Sequence, residues 1–304
     1  VENHLGELWS LFEFLNPGML GAASAFRNNR NDASIPDEDI RALLARALRP
    51  FILRRTKDQV AKDLPPKLEQ TVECELEGDQ RTLYDDLVRH YRASLLGLVE
   101  EKGIAKSKIQ ILEALLRLRQ AACHPGLLNG NADGVDSAKF TMLFGMLEDV
   151  LGAGKKALIF SQFTTLLGFL GDELTKRGIV FEYLDGKTRD RQKRVDRFQT
   201  DPDCPLFLIS LKAGGVGLNL TAAEYVFLLD PWWNPAVEAQ AIDRSHRIGQ
   251  ERRVFAYRIV ARNTIEEKVV ELQKRKRDLA DAIITADNSL IRSIDKDDLE
   301  LLLA

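Results

Sequence analysis

The spacing of apolar positions changes along the chain, and each change predicts a different element. Leu5, Leu8, Trp9, Phe12 and Leu15 recur at helical intervals and stop at Asn16-Pro17-Gly18, which predicts an amphipathic helix over 5–15 that needs a partner surface. A polar loop over 27–37 leads into a helix expected over 37–48, with Pro36 and Asp37 near its start. The stretch RPFILRRTKDQV then sets an apolar trio among Arg49, Arg54, Arg55 and Lys57. It reads equally as a buried segment with snorkelling arginines or as a basic contact. After Pro65-Pro66, Leu68, Val72, Cys74 and Leu76 are interleaved with Glu69, Thr71, Glu73 and Glu75, the pattern of a half-buried strand. Helical spacing returns between Gly78 and Cys123, enough for two or three helices. The Gly- and Asn-rich stretch from His124 to Asp136 reads as a linker and the best domain boundary.

From Ser137 onward, short apolar runs alternate with amphipathic ones. Helices are expected over 137–151, 164–177, 189–199 and 235–246, and strands over 157–160, 180–184, 206–210, 225–229 and 254–259. A long charged helix over 264–285 follows, carrying the basic run Lys274-Arg275-Lys276-Arg277. That alternation predicts an α/β fold: a parallel sheet with helices on both faces. Ligands of such sheets gather at the carboxyl ends of the strands. Ser161-Gln162, Asp185-Gly186-Lys187-Thr188, Leu211 to Gly217 and Asp230 to Trp233 follow successive strands.

Composition narrows the possibilities. A hydrophobic content of 45% and a charged content of 29% over 304 residues are those of a globular protein with ample core. The net charge of -3 excludes a globally basic nucleic-acid binder, so any such site must be a local patch. Three dispersed cysteines, Cys74, Cys123 and Cys204, argue against a disulfide framework and for a reducing, intracellular setting. Cys123-His124 has no second ligand pair at zinc spacing, so no metal site is expected. No apolar run approaches a membrane span. The opening VENHLGELW is expected to be interior to a longer protein.

Candidate chemistry concentrates in four stretches. QAIDRSHRIGQ, residues 240–250, sets Arg244 and Arg247 three apart in a run expected to be helical, with Gln240 one turn back. Two guanidinium groups on one face suit a phosphate tail, but the spacing also fits a solvated surface helix. SLKAGGVGLN, residues 210–219, offers Gly214, Gly215 and Gly217 for tight turning, with Lys212 and Ser210 beside them. That can make an anion-binding nest or merely reverse the chain. Residues 185–197 hold six basic against three acidic side chains, which suits a phosphodiester backbone or a solvated helix. Its Gly186-Lys187-Thr188 is not a phosphate-binding loop of the GxxxxGK[ST] type, because Phe181 stands where the first glycine is required. DPWWNP, residues 230–235, places Trp232 and Trp233 in a proline-bounded loop, where packing anchors are the favoured reading.

In this order and spacing, SLKAGGVGLNL, DPWWNP and QAIDRSHRIGQ resemble the Swi/Snf family of double-stranded DNA translocases within the helicase-like superfamily. ELWSLFEFLNPG, RPFILRRTKDQV, LRQAACHP, LIFSQF and YLDGKT extend the resemblance over nearly the whole chain. It implies the second of two RecA-like lobes, over 131–262, with a mostly helical insertion and interlobe segment over 1–130 and a brace helix and tail over 263–304. ATP and Mg2+ would be held mainly by a first lobe, since this chain carries neither a GxxxxGK[ST] loop nor a DExH-type strand end. Arg244 and Arg247 would act as arginine fingers, with Gln240 positioning nucleotide or water. Gly215, Gly217 and Asp243 would lie near nucleotide. Ser161, Gln162, Gly186, Lys187, Thr188, Ser210, Lys212 and Ala213 would meet DNA phosphates. Asp230, Trp232 and Trp233 would couple the two sites. The implied partners are double-stranded DNA, the first lobe and a DNA-bound protein target, with no membrane and with cytoplasm, nucleoid or nucleus as the compartment. A non-catalytic DNA-binding or docking lobe and a lobe of an RNA helicase are the alternatives.

Overall fold

The computed structural model describes residues 5–21, 48–53, 55, 57–132, 134–213 and 217–280. These fall into two units that divide between Asp63 and Leu64. The first contains α1 (Leu5–Leu15), a single 3₁₀ turn (Arg49–Phe51) and the short α2 (Lys57–Val60). Within it, the Trp9 indole donates to the Gly21 carbonyl at 3.0 Å, and Phe12 meets Phe51 edge-on at 6.3 Å. Phe51, Ile52 and Leu53 are exposed, which overturns the buried-segment reading for this trio. The helix expected over 37–48 lies outside the described residues except for its last position, Leu48.

The second unit is built around one sheet. Its elements in chain order are β1 (Lys67–Cys74), α3 (Gly78–Lys102), α4 (Ile104–Cys123), α5 (Gly126–Asn129), α6 (Ala138–Gly152), β2 (Ala157–Ser161) and α7 (Thr164–Lys176). There follow β3 (Phe181–Leu184), α8 (Arg191–Thr200), β4 (Leu206–Ser210), β5 (Tyr225–Leu228), α9 (Pro235–Ile242), β6 (Val254–Ala261) and α10 (Ile265–Ala280). The strands lie in the order β1-β6-β5-β2-β4-β3, and every pairing is parallel. This is the RecA-like arrangement expected.

The central strands read as continuous apolar runs because both faces are covered. Alternate side chains go to opposite sides. Ile159, Leu208 and Phe227 join a core with Leu115 and Leu118 of α4, Leu143 and Leu147 of α6, Leu170 of α7 and Val269 of α10. Phe160, Phe207 and Val226 join a second core with Phe198 of α8 and Ile242 of α9.

Two expectations are corrected. The strand predicted around Leu68 to Leu76 forms at the sheet's edge, paired among the described residues with β6; Val72 is partly buried and Cys74 and Leu76 are buried as expected, but Leu68 is 48% exposed. The stretch 124–136 is not a loose linker either. His124, Gly126 and Leu127 are buried, α5 forms inside it, and a Cβ on Gly126 would sit 2.5 Å from the Asn131 carbonyl. Among the described residues, no helix is long and apolar enough to cross a membrane.

Candidate nucleotide and nucleic-acid sites

The parallel sheet sends the turns after β2, β3, β4 and β5 to one edge. Ser161 ends β2 opposite Ser210 at the end of β4, and both are buried. The Ser161 hydroxyl donates to Asp230 Oδ1 at 2.5 Å, and the Gln162 amide donates to the same oxygen at 3.2 Å. The loop after β2 is therefore tied to the loop after β5. The Gln162 side-chain nitrogen is buried and has no hydrogen-bond partner among the described residues. After β3, Asp185 organises the turn by accepting from the Lys187 amide at 2.9 Å and the Thr188 hydroxyl at 3.0 Å. Gly186 and Lys187 stay exposed at its tip, and Lys212 is exposed after β4 while Ala213 is buried. Gly214, Gly215 and Val216 lie outside the described residues.

Asp230 is wholly buried, and burial pushes its carboxyl above the usual range against the pull of Arg119 and the Ser161 hydroxyl. Arg119 comes from α4, with its Nη2 3.5 Å from Asp230 Oδ2. It also donates to the Pro231 carbonyl. Two more buried side chains reach the same loop. Lys139 donates to the Leu229 carbonyl, to the Ile259 carbonyl at 3.0 Å and to Glu266 Oε1 at 2.8 Å. Gln273 of α10 donates to the Trp232 carbonyl. Cys123, whose thiol is pushed well up by burial, donates to Glu266 at 3.2 Å. Trp233 is buried in the core and Trp232 is partly buried, as the packing-anchor reading expects.

The arginine stretch is placed differently from the expectation. Asn234 caps α9 by accepting from the Ala236 amide at 2.9 Å, with Pro235 in the first turn. The helix stops at Ile242, so Arg244 and Arg247 do not share a helix face. They lie in turns that α9 has carried toward the beginnings of the strands. There Asp243 pairs with Lys67 at the start of β1 at 3.8 Å, and His246 Nε2 lies 2.7 Å from the Pro65 carbonyl. These turns are bound to the segment that leads into β5. Leu220 donates to the Arg244 carbonyl at 3.0 Å, and Arg247 donates to the Gly217 carbonyl at 3.1 Å. Gln250 donates to the carbonyls of Thr221 and Ala223 at 3.0 Å and of Ser245 at 3.1 Å.

Gly249 turns the chain with φ 100°, which a glycine allows without strain. Arg247 and Gln240 are exposed, whereas Arg244 is 5% exposed. The Arg244 Nε is buried with no acceptor among the described residues, and burial together with the Arg247 charge lowers its pKa. A buried guanidinium short of an acceptor carries a desolvation cost that a nearby anion would offset.

The fold thus separates the predicted residues into two groups. Ser161, Gln162, Gly186, Lys187, Thr188, Ser210, Lys212, Asp230, Trp232 and Trp233 belong to the carboxyl-end side. Gly217, Asp243, Arg244 and Arg247 belong to the side where strands begin, and α9 with Gln240 connects them. Arg119, Lys139, Gln250 and Glu266 were not singled out as site residues. Arg119 lies in LRQAACHP and Gln250 ends QAIDRSHRIGQ, while Lys139 heads the apolar stripe Leu143, Leu147 and Val150.

Comparisons with known proteins give the family and the fold. A model of the SNF2-related domain matches residues 1–127, and one of the helicase conserved C-terminal domain matches residues 138–249. An uncharacterized ATP-dependent helicase of Mycoplasma pneumoniae is 36% identical over 304 residues, covering 98% of this chain. The chain spans 28% of the length of that relative. The Sulfolobus solfataricus SWI2/SNF2 ATPase C-terminal domain superposes with a TM-score of 0.64 at 30% identity, over 78% of this chain and 97% of that one. The ATPase core of the same organism in complex with dsDNA gives 0.67 at 32% identity, over 97% of this chain and 63% of that one.

Proposed function

The chain belongs to the Swi/Snf family, and on that premise we propose that it is the second RecA-like lobe of an ATPase that translocates on double-stranded DNA. Residues 131–262 form the working lobe, with β1 (Lys67–Cys74) added to its sheet as an edge strand; the rest of 1–130 supplies a helical insertion and interlobe segment, and 263–304 act as brace and tail. ATP is the substrate, shared with a first lobe that also supplies the magnesium site. Among the described residues here, no group of three or more His, Cys, Asp or Glu is placed to hold a metal.

The observation that carries the reading is Arg244, a buried guanidinium whose Nε lacks an acceptor, beside an Arg247 fixed on the Gly217 carbonyl. Both are available to neutralise phosphate charge, which is the work of an arginine finger. Gln240, Asp243 and Gly217 border that nucleotide, and Gly215, outside the described residues, is assigned to it by its place in the motif. Ser161, Gln162, Gly186, Lys187, Thr188, Ser210, Lys212 and Ala213 form the face that meets DNA phosphates. Asp230, Trp232 and Trp233 couple the two: Glu238 of α9 accepts from the Trp232 amide at 2.7 Å, which fastens the loop after β5 to the helix leading to Arg244.

In a protein carrying both lobes, Arg247→Ala and Arg244→Ala are each expected to lower DNA-stimulated ATP turnover by about 10³-fold. Undiminished stimulated turnover in Arg247→Ala would remove the finger assignment. Stimulation by duplex DNA is expected to exceed that by RNA, and the reverse order would make the chain an RNA helicase lobe.

A further inference from the structure

We propose that Arg119 is a positioning residue that sets the spacing of the loops after β2 and β5. Through Asp230 it would fix the pose in which Ser161 and Gln162 meet a phosphate backbone. The last part rests on the functional reading above; the first does not. Arg119 belongs to α4, outside the run of alternating strands and helices that supplies the predicted phosphate contacts. Its side chain is 3% exposed and that of Asp230 is 0% exposed, and among the described residues no other basic side chain forms an ion pair with Asp230. The guanidinium carbon lies 5.8 Å from the ring centroid of Phe163 and 5.5 Å from that of Trp233. Phe163 follows β2 and Trp233 follows β5, so one planar cation touches both loops while its edge meets Asp230 and the Pro231 carbonyl.

Asp230 in turn accepts from Ser161 and Gln162, and the Ser161 hydroxyl oxygen accepts from the Phe163 amide at 3.0 Å. A buried carboxylate without its cation has lost its counter-charge and shifts or takes up a proton. Removing Arg119 therefore releases the groups that Asp230 orients. A lysine keeps the charge but not the planar fork that spans two rings.

The test is amide hydrogen exchange on this chain with Arg119→Gln, Arg119→Lys and Asp230→Asn. In Arg119→Gln, the amides of Gln162 and Phe163 are expected to exchange about tenfold faster, as for a locally opened segment, while those of α8 keep their wild-type rates. Arg119→Lys should recover part of the protection, and it carries the test if Arg119→Gln does not melt cooperatively. Combined with Asp230→Asn, Arg119→Gln should add less than its effect alone, because the Asp230 contact is common to both changes while the Pro231 carbonyl and ring contacts are not. Wild-type protection at Gln162 and Phe163 in Arg119→Gln, or additive effects in the double variant, would overturn the proposal.

In a two-lobed protein, the same Arg119→Gln change should raise the half-saturating duplex concentration for ATPase stimulation about tenfold, the scale of one lost charged hydrogen bond. If the unmodified two-lobed protein shows no duplex stimulation, the functional reading fails, and the exchange rates still decide the positioning role.

Discussion

At the scale of single residues, the buried polar groups around the sheet's carboxyl end determine how much disruption the chain tolerates. Lys139 and Glu266 face each other almost fully buried, with an Nζ–Oε2 separation of 2.6 Å. Glu266 also accepts from the Ala261 amide at 2.9 Å. Losing one member of such a pair strands the other, so Lys139→Met is expected to cost about 3–5 kcal/mol of unfolding free energy. A Lys139→Met/Glu266→Met double variant should recover most of that loss, as read from urea melts.

His124 gives a second prediction. It is buried against Phe140 and Phe169, and its Nδ1 accepts from the Gly126 amide. Burial lowers its pKa to about 4 from the ordinary 6.5. Because the unfolded chain takes up this proton first, the contribution is intact above pH 6.5 and is lost as pH falls toward 4. Stability of the native protein should therefore fall more steeply across that window than stability of His124→Gln, measured as urea midpoints at each pH. Equal slopes would refute it.

At the scale of elements, α10 is begun by one group brought from far along the chain and two supplied locally. The Ile265 amide donates to the Tyr84 hydroxyl at 2.6 Å, the Glu266 amide to Thr264 Oγ1 at 3.2 Å and the Asn263 amide to Glu267 Oε2 at 3.0 Å. These satisfy amides that a helix start otherwise leaves unpaired. Tyr84 is buried on α3, so Tyr84→Phe strands the Ile265 amide and is expected to lower stability by about 1–2 kcal/mol in thermal melts. The helix α9 shows the limit of local signals. Asn234-Pro235 announced its start, but nothing in PAVEAQAIDRSH announced that it would end at Ile242. The stop is imposed from outside, by Leu220 bonding to the Arg244 carbonyl and by Gln250 gathering three carbonyls.

At the scale of the whole molecule, the net charge of -3 hides a division of labour. The exposed Lys187 and Lys212 stand on turns at the carboxyl edge of the sheet, while Arg244 and Arg247 lie where strands begin. If the carboxyl edge meets DNA phosphates, binding should weaken steeply with salt. Lys187→Ala and Lys212→Ala should each reduce the slope of log K against log salt by about 1, with little dependence on DNA sequence. Titrations at several salt concentrations check this, and unchanged slopes would take the DNA face away from this edge.

The sequence by itself determined the parallel sheet, most helix boundaries and the residues that turn at strand ends, because these follow from local spacing. The period of apolar positions separates strands from helices, and the glycines, prolines and Asp185 mark where each strand must turn. It did not determine that QAIDRSHRIGQ breaks its helix, or that its arginines and the Asp230 loop lie toward opposite ends of the strands. Nor did it pick out Arg119, Lys139, Gln250 and Glu266 as the side chains that hold these loops. The buried charges among them are defined by partners more than a hundred positions away, as in Arg119 with Asp230 or Lys139 with Glu266, and Gln250 by the carbonyls of Thr221 and Ala223. Ion pairing and carbonyl capture inside a protein depend on which groups share the buried space. Only the tertiary structure decides that.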